Sequence, residues 1–264
     1  PFKYKMLARC AKQLKSSCSL KSPKSNRRSL STQAGSAKKK PRLVIFGPPG
    51  AGKGTQCAKL NDHYGLTTLS TGDLLRRAIA DQNEIGKRVK SILEAGQLVD
   101  DATVLSLVSG AITSNTKLQT DGFVLDGYPR NLNQADQLQA LLASRDLSLN
   151  AALCLNVSDS VLIDRICNRW VHIPSGRVYH TTYSPPKKAG FDDVTGEPLT
   201  QRDDDTEARV KDRLKVYHSY TAPLLDYYKK KGILTTITAD TSHEGYVLIQ
   251  QALKDQFGLL SQAK

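Results

Sequence analysis

The sequence predicts an α/β fold, a five-stranded parallel sheet with helices on both faces. Short apolar runs recur at 43–46, 66–69, 123–125, 152–157 and 233–237. Between them lie stretches with Leu, Ile and Ala at three- and four-residue spacing, the period of a helix packed on one face. That alternation belongs to parallel strands joined by helical crossovers. The first apolar run also leads directly into a glycine-rich turn, Gly47-Pro-Pro-Gly-Ala-Gly-Lys-Gly-Thr55. Ligands of such sheets sit at the carboxyl ends of the strands, so site residues are expected just after each strand.

The chain has 264 residues and a net charge of +13. The excess belongs to residues 1–40, which hold 12 of the 38 Lys and Arg and no Asp or Glu, so 41–264 carries 26 basic and 25 acidic residues. With the body nearly neutral, the composition gives no reason to expect a nucleic-acid partner. Within the leader, Leu7, Cys10, Ala11, Leu14 and Cys18 share one helical face among Arg, Lys and Ser. An amphipathic, acid-free, Arg- and Ser-bearing N-terminus is the pattern of an organelle transit peptide, expected to be disordered outside its receptor. The only methionine, Met6, is a sensible start, with residues 1–5 as translated upstream sequence. No apolar run is long enough to span a bilayer, and stable membrane association is not expected.

After the leader, the run at 43–46 is the first strand, and Gly47-x4-Gly52-Lys53 has the spacing of a phosphate-binding loop. Small residues let successive N–H groups curl around phosphate oxygens, and the following helix, expected from Gln56 to Tyr64, adds its dipole. Lys53 supplies a point charge for the outer phosphates. Gly54 then Thr55 follow the lysine, where the general motif has Ser or Thr at once. Thr71-Gly-Asp73 follows the second strand, and Asp126-Gly-Tyr-Pro-Arg130 the third. Helices are expected at 73–80, 85–94, 101–112, 132–142 and 160–170, and another from about Asp205. The Gly-, Pro- and turn-rich segment 171–202 interrupts two of them, which reads as a lid. The cysteines at 10, 18, 57, 154 and 167 form no CxxC pair and read as small buried hydrophobes in a reducing compartment.

The loop, Ser70-Thr-Gly-Asp73, Asp126-Gly-Tyr-Pro-Arg130, Ser175-Gly-Arg-Val-Tyr179, Asp192-Asp-Val-Thr-Gly-Glu-Pro-Leu199 and Gln201-Arg-Asp-Asp-Asp205 together closely resemble the long-lid adenylate kinases, over about residues 42–260. Gly54-Thr55 matches that family, and Tyr128 stands where it usually has Phe. The resemblance implies the P-loop nucleoside monophosphate kinase fold at 41–264, with an AMP-binding helical insert at about 70–100 and a small β-type lid at about 171–206. It implies reversible transfer of a terminal phosphoryl from a Mg²⁺-bound nucleoside triphosphate to AMP. By family position the triphosphate lies on Gly50, Ala51, Gly52, Lys53, Gly54, Thr55, Arg165, Arg169, Val178, Tyr179 and the backbone at His243, which is expected near the last turn of the domain. AMP lies on Thr71, Arg76, Gln97, Leu98, Val99, Gly127, Tyr128, Pro129, Arg130 and Gln134, with Arg202 and Arg213 facing the transferring group. Lys53, Arg130, Arg165, Arg169, Arg202 and Arg213 are the expected catalytic cations, and Asp126 orients waters on Mg²⁺. This chemistry needs positioning and cations rather than covalent help, and the planar guanidinium suits bidentate phosphate contacts.

Some relatives close the lid with four cysteines on zinc. Here the matching positions read His172, Ser175, Asp192 and Thr195, a poor tetrahedral zinc set but a workable hydrogen-bond cluster in which Asp192 accepts from His172 or a hydroxyl. No structural metal is expected. Asp204 and Asp205 are expected to orient arginines or cap the next helix. The lid and the leader are most similar to the mitochondrial-matrix GTP:AMP phosphotransferase branch, so GTP is the favoured donor, the matrix the expected location and a monomer the expected state. An ATP-preferring adenylate kinase is the alternative. A UMP/CMP kinase would have a shorter lid, and a non-catalytic nucleotide-binding module would be expected to lack some of these arginines.

Overall fold

The computed structural model describes residues 40–259, so the leader and its expected targeting role lie outside it except for Lys40. The chain begins with β1 (Arg42–Phe46), α1 (Lys53–Tyr64), β2 (Thr67–Ser70), α2 (Thr71–Ala80) and α3 (Glu84–Glu94). Next come α4 (Asp101–Ser114), the short α5 (Thr116–Thr120), β3 (Phe123–Asp126), α6 (Leu132–Ala143), β4 (Ala151–Asn156) and α7 (Asp159–Cys167). Strands β5 (Arg169–His172) and β6 (Arg177–His180) form a hairpin. Then α8 (Glu207–Val216) runs through a π turn (Tyr217–Thr221) into α9 (Leu224–Lys230), before β7 (Leu234–Thr238) and α10 (Ser242–Phe257).

The main sheet has the order β2-β3-β1-β4-β7, every pair parallel. Central β1 is apolar and buried from Leu43 to Phe46 because both of its faces are covered there, as buried parallel strands require. Alternate residues serve opposite faces. Val44 and Phe46 join a core with Leu75, Val104, Leu125, Leu138 and Tyr228, whereas Leu43 and Ile45 join Leu60, Ile166, Val210, Ile249 and Leu253. Chain order reverses around β1, so the loops leaving β1, β2 and β3 open side by side on one edge, the crevice where this sheet type binds ligands.

Several helix starts carry their own caps. Ser70, Asn83, Asp100, Asn131 and Thr241 each accept a hydrogen bond from the backbone N–H three residues on. Helices α2 and α3 pack unusually close at Gly86, where a Cβ would stand 2.0 Å from the Ala78 carbonyl oxygen.

Three expectations need correction. The helix expected to run to Trp170 ends at Cys167, because Arg169–His172 pairs instead with Arg177–His180. Asp205 does not cap the following helix; Thr206 holds the N-cap position, without a side-chain bond. His243 lies in the first turn of the last helix rather than near its end. The turn-rich remainder of 171–202 is tied down by bridges between Val171 and Thr200 and between Phe191 and Pro198.

Candidate active site

The turn after β1 brings Gly50 through Thr55 to the sheet edge. Gly52, at the α1 N-cap, has φ 88°, a left-handed conformation that glycine adopts without Cβ strain. No acidic residue lies in the first turn of α1, so the free N–H groups and the positive end of the dipole face the crevice uncompensated. The Lys53 ammonium donates to the Gly47 and Pro48 carbonyls at 2.9 and 2.8 Å. Burial pushes its pKa down to about 8, Asp126 works against the shift, and Arg130, Arg213 and Arg169 reinforce it. A Cβ on Gly54 would lie 3.9 Å from Asp126 Oδ2, so this position opens directly toward that carboxylate. Burial raises the Asp126 pKa, and Lys53 is the strongest influence opposing the rise.

Five arginines gather around the same crevice from different elements. Arg130 follows β3, Arg169 opens β5, Arg202 leaves the lid, Arg213 lies in α8 and Arg76 in α2. Burial, followed by Arg213, depresses Arg130 to about 10. Burial, followed by Arg76 and Arg169, depresses Arg202 to about 10 as well. Arg213 is lowered chiefly by burial. Some of this charge is balanced. Arg169 grips Asp205 with two nitrogens, its Nε at 2.8 Å. Arg213 reaches Asp204 at 3.0 Å and Asp205 at 3.6 Å, and Arg76 pairs with Asp73. Among the described residues, Lys53, Arg130 and Arg202 have no carboxylate within ion-pair distance. Asp204 and Asp205 thus hold arginines, and the remaining positive charge faces the crevice. Arg165 stands apart from the group. It donates to the Asp240 carbonyl at 2.7 Å and lies over the Tyr183 ring at 5.6 Å.

Beside the cluster, a small cavity is lined by Thr71, Leu75, Leu93, Leu98, Val99, Val104, Gly127, Arg130 and Gln134. It is an apolar slot with few polar groups, the usual make-up of a base-binding pocket. The Gln134 amide is fixed at both ends, accepting from Arg130 N at 2.8 Å and donating to Asp101 Oδ1 at 2.7 Å. Thr71 Oγ1 donates to the Gly127 carbonyl at 3.0 Å. Other expected residues fall outside this lining. Gln97 is exposed in the α3–α4 connection. Pro129 is buried, and Tyr128 points into the core with its hydroxyl unpartnered. Leu75, Leu93 and Val104 were not singled out from sequence; only their helical spacing marked them, and that spacing also describes ordinary core.

The lid is organised around Asp192. Its carboxylate accepts from Arg177 Nε and Nη2 at 2.7 and 2.6 Å, Tyr179 Oη at 2.9 Å, Thr195 Oγ1 at 2.9 Å and the Val194 and Thr195 N–H groups. Arg177 leads the causes that hold this acid far below the usual carboxylate range. His172 lies 3.8 Å from Asp192, beyond hydrogen-bond reach, and contacts Ser175 at 2.7 Å and Glu197 at 2.6 Å instead. Arg177 and Glu197 carry much of the cluster; both stand within the lid motifs, but the sequence assigns them no part in it. The side chain of Tyr179 is committed inside the lid, while that of Val178 is exposed. His243 is exposed beside Ser242, whose carbonyl accepts from Gln56 at 2.9 Å. Among the described residues, no group of three or more His, Cys, Asp or Glu is placed to hold a metal.

The family model for adenylate kinase matches residues 45–233. The chain is 46% identical over 199 residues to Adenylate kinase 4 of Arabidopsis thaliana, covering 75% of this chain and 80% of that protein. It is 43% identical over 219 residues to Adenylate kinase 3 of Oryza sativa subsp. japonica, covering 83% and 90%. Adenylate kinase of Aspergillus oryzae is 46% identical over 198 residues, covering 75% and 76%.

Proposed function

The chain belongs to the adenylate kinase family, whose members carry out phosphoryl transfer involving AMP, and from that premise we propose that it moves the terminal phosphoryl of Mg²⁺-bound GTP to AMP inside mitochondria. The observation that carries the site assignment is the set of crevice cations without carboxylate partners, Lys53, Arg130 and Arg202. A polyphosphate between them would supply the missing negative charge.

In this reading the triphosphate lies along Gly50–Thr55, with Lys53 leaving its two loop carbonyls for phosphate oxygens. Mg²⁺ arrives as part of that substrate. The Asp126 carboxylate opens toward Gly54, has no hydrogen-bond donor among the described residues, and would orient waters of the ion. AMP enters the slot between Thr71, Val99 and Gln134 with its phosphate on Arg130 and Arg76. Arg202 and Arg213 flank the transferring group, Arg169 steadies the donor phosphates, and Arg165 waits at the Asp240 edge. Arg76 must exchange Asp73 for phosphate, so substrate binding breaks an ion pair at that position. Closure of the 171–206 lid excludes water and so prevents idle hydrolysis.

The preference for GTP rests on the likeness of the lid sequence and on the basic leader. Steady-state rates with AMP and either GTP or ATP test it, and a higher kcat/KM with ATP overturns it. Fusing residues 1–40 to a reporter tests the location; failure of isolated mitochondria to import the fusion refutes it.

A further inference from the structure

The π turn at Tyr217–Thr221 sits between Arg213 and the rest of the fold. One extra residue in a helical turn rotates everything after it by about 100° relative to the preceding helix. Here that rotation places Thr221, which is 6% exposed, against the loop after β3. Its hydroxyl donates to the Arg130 carbonyl at 2.7 Å, across 91 residues of chain.

Arg130 is thereby held on several sides. Its N–H donates to Gln134 Oε1, its Nε to the Gly127 carbonyl, and its carbonyl accepts from Thr221. Only the last of these comes from the helical segment that carries Arg213. We propose that Thr221 is a positioning residue for phosphoryl transfer, setting the spacing between the Arg130 guanidinium on the acceptor side and the Arg213 guanidinium at the transferring group. This rests on the roles given to those arginines above. A strained or lost bond here lets the loop after β3 and the α8 segment drift apart, and errors of placement in such a site are costly even when nothing touching substrate has changed.

Thr221→Val keeps the shape and removes the donor. It should lower kcat roughly tenfold, the effect of one hydrogen bond on a barrier, with GTP and AMP KM values changed much less. Thr221→Ser should restore most of the rate. The decisive measurement is the pair of substitutions in an Arg213→Lys background. If Thr221 acts by spacing the two guanidiniums, Thr221→Val costs little more once Arg213 is already displaced. A full, multiplicative loss in both backgrounds, or a lowered melting temperature with unchanged kcat, overturns the proposal. An Arg213→Lys enzyme of normal kcat would instead overturn the arginine roles beneath it. Should Thr221→Val not fold, Thr221→Ala enters the same cycle and is judged by the same outcomes.

Discussion

Raising the pH from 7 to 9 should weaken triphosphate binding about tenfold through Lys53 alone. The crevice holds this lysine near a pKa of about 8, against 10.5 for an unperturbed side chain, chiefly because it is buried. It is then about nine-tenths protonated at pH 7 and about one-tenth at pH 9. A bound triphosphate restores the charged form, so binding at pH 9 must first return a proton, and that proton is the source of the loss. Phosphate groups ionise near pH 6 and do not titrate across this window. Titration calorimetry with Mg²⁺ and a nonhydrolysable GTP analogue, in two buffers of different ionisation enthalpy, should find nearly one proton taken up at pH 9 and almost none at pH 7. In Lys53→Met both the uptake and the pH slope should vanish. An affinity constant within about twofold from pH 7 to 9, with no buffer dependence, would falsify the account. The same shift has the opposite sign for the empty protein. The unfolded chain keeps this proton up to about 10.5 while the fold releases it near 8, so the Lys53 contribution to stability improves as pH rises through that interval.

Other consequences can be measured directly. Arg130→Ala should lower kcat by roughly a thousandfold, the scale for removing a donor aimed at transition-state charge; an unchanged kcat would remove it from the transferring site. In Gly86→Ala, helix propensity favours Ala by about 1 kcal/mol, but a Cβ 2.0 Å from the Ala78 carbonyl oxygen forces α2 and α3 apart. The net effect should be a loss of about 1–3 kcal/mol, seen as a lower melting temperature with a higher KM for AMP; wild-type values of both would show that the helices have room. Metal analysis after dialysis against a weak chelator should find no zinc in the purified protein, and a stoichiometry near one would contradict the Asp192-centred lid.

The sheet was legible because buried parallel strands announce themselves as short apolar runs, and five such runs correspond to the five strands of the main sheet, within one residue at every end. The boundary at Cys167–Arg169 was not legible. Leu162, Ile166 and Trp170 continue a helical period, and only pairing with the next strand, Arg177–His180, takes Arg169–His172 out of the helix. The π turn was hidden for a related reason, since its residues are ones that any α-helix accepts. In the site, the loops after β1 and β3 could be read because glycines and arginines stand at fixed offsets there. Arg177, Glu197 and Thr221 could not, because their parts depend on partners reached only through the fold: Asp192 and His172 for the first two, and the Arg130 carbonyl for the third. Arg165 shows the converse. Family position groups it with the phosphate-facing cations, and the structure places it over Tyr183 at the margin.

Asp192 gathers six donor contacts from two stretches of the lid, Arg177–Tyr179 and Val194–Thr195, a hub that travels with the polypeptide. An ion at such a hub would make lid assembly a second-order event, with an equilibrium that follows the free concentration of that ion. A carboxylate makes it first-order. A lid held by this hub alone re-forms in a unimolecular step, and its folding equilibrium contains no concentration term.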